Sequence, residues 1–350
     1  MKRRKPTLTI RTRNDSMSLL IEKKSWLTIG VLFLITLVTI VAGAGLGNGF
    51  IPPAQVLTTV LGTGSGEHDF IIMTLRMPRV LVAVLVGAAL GISGAILQSI
   101  IRNPLASPDV IGITGGAAVA AVGFVSLLSG QVSIKFMPLA ATIGALLASF
   151  IIYVLAWRKG VTPIRLVLIG IGMSAVTGAG TTFMLVQSPH YSLGKAYTWL
   201  TGSVYGSTWD NVWLILWTAV ILLPFTLFFA RSLDAQQFGD DVASGLGVAV
   251  QRHRVFLVLI SVLLAGIAVA VAGTVGFVGL IAPHIARKLV GRPFGSLVMV
   301  SAFIGGLLVL GADLIGRTAF YPLDVPAGVF TAGVGAPFFL YLLFKNRNQF

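Results

Sequence analysis

The sequence predicts an all-α, polytopic membrane protein with about ten transmembrane helices, and three observations carry that prediction. Of 350 residues, 56% are hydrophobic and only 10% are charged, with a mean hydropathy of +0.93. A soluble domain carries about a quarter of its residues as Asp, Glu, Lys and Arg, so this chain lacks the charge to cover itself in water. Second, its apolar stretches run unbroken for about twenty residues, the length that crosses a hydrocarbon core as helix. They show no period-2 alternation, which sets aside the barrel, the other way to satisfy every backbone group in lipid. Third, the cations gather in short segments that fall mostly on one side of the bilayer.

Taken in order, the expected spans are 26–46, 79–101, 109–128, 136–157, 164–186, 211–230, 255–272, 275–290, 296–313 and 327–344. Segment 275–290 is short and contains Pro283, so a broken or partial crossing is expected there. With the N-terminus inside, only Arg76, Arg79, Lys135, Lys195 and Arg317 of the 25 Lys and Arg fall outside. That asymmetry is the positive-inside pattern. It accounts for the formal charge of +14 without a nucleic-acid partner, because the cations flank hydrophobic runs and form no continuous basic surface. Residues 1–25 form a basic, polar N-terminal arm on the cytoplasmic side, suited to an anionic leaflet, and 26–345 form the transmembrane domain. The basic start, apolar 27–42 and Ala42-Gly43-Ala44 also fit a cleaved signal peptide. The charge balance favours retention of the first span.

Enzymatic chemistry finds no support. Gly62-Thr63-Gly64-Ser65-Gly66 lacks the lysine and the strand-to-helix setting of a phosphate loop. The chain has no cysteine, and His68, His190, His253 and His284 have no metal-ligand spacing. His284, after Pro283, is expected at the end of a span in a structural or interfacial role. No span carries the paired central carboxylates of an ion-coupled carrier. Neither a cofactor nor a metal is expected.

Segments 87–117 and 273–295 are both Gly-rich and interrupted by Pro, a pattern that in two halves of a transporter points to a pathway. The most informative stretch is 231–254, the longest polar interruption on the inferred inner side. Gly239 and Gly245 divide it, and Asp240–Ser244 can start a small helix. Such a helix at the membrane surface suits docking into a groove of a cytosolic partner, although a plain solvated loop has the same pattern.

Several motifs together resemble a known family. They are Arg76-Met77-Pro78-Arg79-Val80; the Gly87–Gln98 run; Arg102-Asn103-Pro104-Leu105-Ala106-Ser107-Pro108-Asp109; Leu246-Gly247-Val248; Gly276–Arg287; Ala312–Arg317; and Pro326-Ala327-Gly328-Val329 with Gly333–Phe338. In order and over roughly 26–345, they resemble the permease subunits of ABC importers for iron-siderophores and vitamin B12. The 102–109 stretch is most similar to the siderophore branch. The resemblance implies a type II importer permease fold of ten helices and a ferric-siderophore substrate, with vitamin B12 or haem as alternatives. It also implies a second permease subunit, identical or paralogous, two cytosolic ATPase subunits and an extracytoplasmic substrate-binding protein.

By the same resemblance, Arg76, Arg79 and Arg317 face acidic residues of the binding protein. The residues alone also allow interfacial anchoring, and an i, i+4 pair of Arg317 with Asp313. Segment 234–250 would be the coupling region, with Asp234, Gly239, Asp240, Asp241, Gly245, Leu246 and Gly247 contacting the ATPase. Thr162, Pro163 and Ile164 align loosely with an inner gate. Gln98 either lines the path or makes a helix–helix hydrogen bond.

Overall fold

The computed structural model describes residues 7–11, 18–47, 49–64, 66–109, 111–128, 131–158 and 160–345. Of the expected basic arm, Lys2, Arg3, Arg4, Lys5 and Arg13 lie outside the described residues, as do Lys159 and Arg347. The arm's described parts form an antiparallel hairpin, β1 (Thr7–Arg11) on β2 (Ser18–Glu22), with Thr7 opposite Glu22 and Arg11 opposite Ser18. Among the described residues this is the only departure from an all-helical chain.

The helices follow as α1 (Lys23–Gly45), α2 (Pro53–Val60), α3 (Met77–Ile101), α4 (Ile113–Leu127) and α5 (Met137–Ala156). Next come α6 (Pro163–Gln187), α7 (His190–Thr201), α8 (Trp209–Phe228), α9 (Ala230–Gln236) and α10 (Asp240–Gly245). The chain ends with α11 (Val250–Ala272), α12 (Val278–Val290), α13 (Phe294–Thr318) and α14 (Ala327–Lys345). A π-helical run, Phe70–Arg76, leads directly into α3. Proline stands in the first turn of α2, α5 and α6, where its missing N–H costs nothing. Thr208 and Asn211 close a capping box at the start of α8.

All ten expected spans appear as helices. Eight are long and apolar enough to cross a membrane, and the chain is a multi-pass membrane protein. The other two are shorter: α4 has 15 residues and α12 has 13. At 1.5 Å per residue α12 reaches about 20 Å, less than the roughly 30 Å of a hydrocarbon core. Pro283 lies inside it, so His284 is a mid-helix residue stacked edge-on against Phe338, not the end of a span as expected. Helices α2 and α7 were not foreseen.

The core is built around α3. In the apolar window that includes it 78% of residues are buried, against 17% in those of α1, α6 and α8, which ring the outside. Lipid is as apolar as Leu, so burial gives helices no reason to associate there; close packing and interhelical hydrogen bonds must. Glycines at one face of α3 provide that. A Cβ at Gly87 would lie 2.1 Å from the Gly305 carbonyl, at Gly91 2.3 Å from that of Ser301, and at Gly94 1.8 Å from that of Gly279. The backbone of α3 therefore touches α13 and the start of α12 directly. On α11, Ser261 exchanges a 2.7 Å hydroxyl bond with Ser93 of α3.

Gly94→Ala should lower the thermal stability of the detergent-purified protein by about 1–3 kcal/mol or abolish its accumulation. Gly172→Ala, where an added Cβ meets nothing within 4 Å, should leave the melting temperature in place.

Candidate functional surfaces at the two ends of the bundle

Arg76, Arg79 and Arg317 meet at one end of the bundle, around a cavity of about 360 Å³ also lined by Tyr205, Tyr321 and Asp324. The reason lies in α1. Its last carbonyls have no helical partner, and unsatisfied carbonyls near a bilayer are costly. Arg76 donates to the carbonyls of Ala44 (3.1 Å), Gly45 (2.8 Å) and, past the helix, Gly49 (2.9 Å). Arg317 donates to those of Gly43 (2.6 Å) and Leu46 (3.1 Å). Two guanidiniums thus cap the negative end of the α1 dipole.

Arg79 has a different task. It donates to both oxygens of Asp313 (2.7–3.2 Å) and of Asp324 (2.6 and 2.7 Å), and its guanidinium lies 5.4 Å from the centre of the Tyr205 ring. Asp313 is 1% exposed and also pairs with Arg317 at 3.4 Å, the i, i+4 contact the spacing allows. Arg76 and Arg79 are themselves buried, so the three arginines are tied into the fold before any partner arrives. The groups open to solvent at the mouth include Tyr205, Tyr321, Leu323 and Leu75, together with Pro322 and Asp324. With three arginines against Asp313 and Asp324 the cleft keeps a net positive charge.

The opposite end carries α9 and α10. Gly239 breaks them apart with φ 113°, a conformation that a side chain resists. Gly245, expected as a second break, is the last residue of α10; the chain turns instead at Gly247, with φ 84°. Asp234 accepts from the Phe294 N–H (2.9 Å) and Gln237 Nε2 (3.2 Å), which ties α9 to the start of α13. Burial pushes its carboxyl up to about 6, against the opposing pull of the Phe294 bond. Asp240 is bound by Arg102 and Arg254, whereas Asp241 is exposed.

Phe238, Val242 and Leu246 are 75%, 50% and 70% exposed: Phe238 lies in the turn between α9 and α10, Val242 within α10, and Leu246 just after it. The sequence reading placed Phe238 and Val242 inside the 234–250 segment without singling them out. It gave no role to Arg102 or Arg254, because nothing local pairs these arginines with Asp240.

Gln98 makes the helix–helix hydrogen bond, its amide donating to the Leu280 carbonyl at 3.2 Å. It also borders a cavity of about 220 Å³ with Arg102, Gln237, Arg287 and Arg292. Thr162 and Pro163 open α6 at this same end, and Ile164 is exposed. The structure links that turn to α10 through Val161, Arg254 and Asp240.

Comparison with known proteins gives these surfaces a family. The profile of the FecCD transport family matches residues 34–345. This chain belongs to the FecCD transport family. It is 50% identical to probable siderophore transport system permease protein YfhA of Bacillus subtilis (strain 168), over 94% of this chain and 97% of that one. It is 48% identical to the achromobactin transport system permease protein CbrC of Dickeya dadantii (strain 3937), over 91% and 92%. A solved metal-chelate type ABC transporter in an inward-facing conformation superposes with a TM-score of 0.80 at 26% identity, over 92% of this chain and 99% of that one.

Arg79→Met should cost this FecCD permease about 3 kcal/mol of stability, because it leaves the buried Asp313 carboxylate with only the longer Arg317 pair. Arg79→Met with Asp313→Leu should recover most of the loss, read as melting temperatures in one detergent. Asp234 yields a pH prediction. Its folded value of about 6 stands above its ordinary 3.8, so the folded state holds the proton more tightly. Its contribution to stability is full below 3.8 and is lost as pH rises towards 6. Asp234→Asn keeps an acceptor for Phe294 but cannot ionise. It should flatten that part of the melting-temperature profile and melt higher than the parent at pH 7.

Proposed function

We propose that this permease forms half of the passage of an ATP-driven importer that brings ferric siderophores across the bacterial cytoplasmic membrane. The observation that carries the proposal is the agreement among relatives over nearly their whole length. Besides the two above, a Bacillus subtilis (strain 168) iron(3+)-hydroxamate permease is 43% identical and an Fe(3+)-citrate permease 41%, each over 98% of its own length. These two and the achromobactin relative are transporters of three differently named iron chelates or chelators.

The two ends fit the division of labour in such a machine. On this reading the arginine cleft faces outward and receives the binding protein. Arg76, Arg79 and Arg317 supply its positive field and its shape, while Tyr205 and Tyr321 supply contact, because the arginines are occupied within the fold. Charge complementarity of this kind steers and orients an acidic partner more than it adds affinity. At the other end, with both termini on the cytoplasmic side, α9 and α10 meet an ATPase subunit. The apolar side chains of Phe238, Val242 and Leu246 fill its groove, and Asp234, Gly239, Asp240, Asp241, Gly245 and Gly247 set the shape and charge of the insert.

A second permease subunit completes the passage, and Gln98 with the 162–164 turn lines its inner part. The permease performs no covalent step; nucleotide hydrolysis belongs to the partner, and alternating access moves the chelate.

Uptake of labelled chelates by a strain lacking this gene, and by its complemented parent, tests the proposal. The panel holds ferric hydroxamate, catecholate and citrate-type siderophores, vitamin B12 and haem. Restored uptake of a ferric siderophore that stops when the companion ATPase is inactivated is the expected result. Uptake confined to vitamin B12 or haem, or independent of the ATPase, overturns it.

A further inference from the structure

Asp240 occupies an unusual position for a residue at a surface helix. It opens α10, and its carboxylate is held by two arginines from different helices. Arg102, which ends α3 in a left-handed conformation (φ 57°), donates to it at 3.2 Å. Arg254, in the first turns of α11, donates to both of its oxygens at 2.9 and 3.0 Å. Arg254 is wholly buried, and its other terminal nitrogen donates to the carbonyl of Val161 at 2.5 Å. The N–H of Val161 is in turn held by Gln251 at 3.1 Å, one helical turn before Arg254. Both main-chain groups of Val161 are therefore fastened to α11, and Val161 stands two residues before Pro163, the first residue of α6.

A buried ion pair is a poor choice for stability alone, since apolar side chains of similar volume do as well or better. A planar guanidinium does offer two arms of fixed direction, which a Leu or Met cannot. Here one arm holds the coupling helix and the other holds the turn before α6.

We propose that Asp240 and Arg254 form a pin through which displacement of α10 is delivered to the 161–163 turn and hence to α6. This rests on the reading of α9 and α10 as the ATPase contact. Both are positioning residues: they touch neither nucleotide nor chelate. Arg102 anchors the same carboxylate to α3, so α10 moves against a fixed strut.

The test uses the complete importer in nanodiscs. The permease has no cysteine, so Leu168→Cys on α6, an exposed position outside the proposed passage, and Leu289→Cys can be spin-labelled, provided the other subunits are free of accessible thiols. The Leu168–Leu289 distance is measured with and without ATP, beside uptake per ATP hydrolysed. The unaltered pin should show an ATP-dependent change in distance. R254K leaves the α10 surface unaltered and keeps a buried positive charge beside Asp240, but lacks the second arm. It should assemble and hydrolyse ATP, with that change reduced and uptake per ATP lower by at least about fivefold. D240N, whose charge also faces the ATPase, should lose the distance change in the same way and D240E should restore it; this pair decides the matter if R254K does not assemble. Parental distance change and uptake per ATP in R254K or D240N overturn the pin, as does a parent that transports without the change. A parent complex with no ATP-dependent uptake overturns the importer reading itself.

Discussion

Contact between bare backbones organises this molecule. In a bilayer, apolar side chains gain nothing by leaving lipid for protein, so helix association depends on how closely main chains approach. At Gly87, Gly91 and Gly94 the approach is so close that a single methyl group would overlap a carbonyl of α12 or α13. Once α3 is seated, its two ends are fixed in space about 37 Å apart, the length of 25 helical residues. Arg76 and Arg79 stand at one end and Arg102 at the other. Both functional surfaces are thus mounted on the same strut, and the arginines at each end tie the surrounding helices to it.

The two ends use charge in different ways. At the cleft, guanidiniums satisfy the open carbonyls of α1 and neutralise two carboxylates. Most of their hydrogen-bonding capacity is spent within the fold, leaving a modest positive field and an aromatic rim. At the coupling end, one carboxylate gathers two arginines, while the surface beyond it is apolar. The first arrangement suits a partner that docks and leaves. The second suits one that stays, because apolar contact between water-exposed surfaces grows with the area removed from water.

The helical class and the order of the spans were legible in the sequence because each depends on local composition. The pair of Arg317 with Asp313 was legible for the same reason, being one turn apart. The pairs of Arg79 with Asp324 and of Arg254 with Asp240 were not, because they join residues separated by loops and no periodic pattern encodes them. Helix α7 was missed because HYSLGKAYTWLT is too short and too polar to register as a span. Pro283 misled in the other direction: in water it would end a helix, but here α12 continues past it, packed among neighbours that can satisfy the groups it frees. The three arginines do meet around one cleft, but their burial depends on the end of α1, which no feature of Arg76 or Arg79 announces.

The apolar residues at α10 have a consequence for the chain on its own. Phe238, Val242 and Leu246 lie uncovered within nine residues of sequence. Exposed apolar groups gathered in this way favour contact with other surfaces. On a solitary copy they form an adhesive spot, and one copy can meet another there until something covers it.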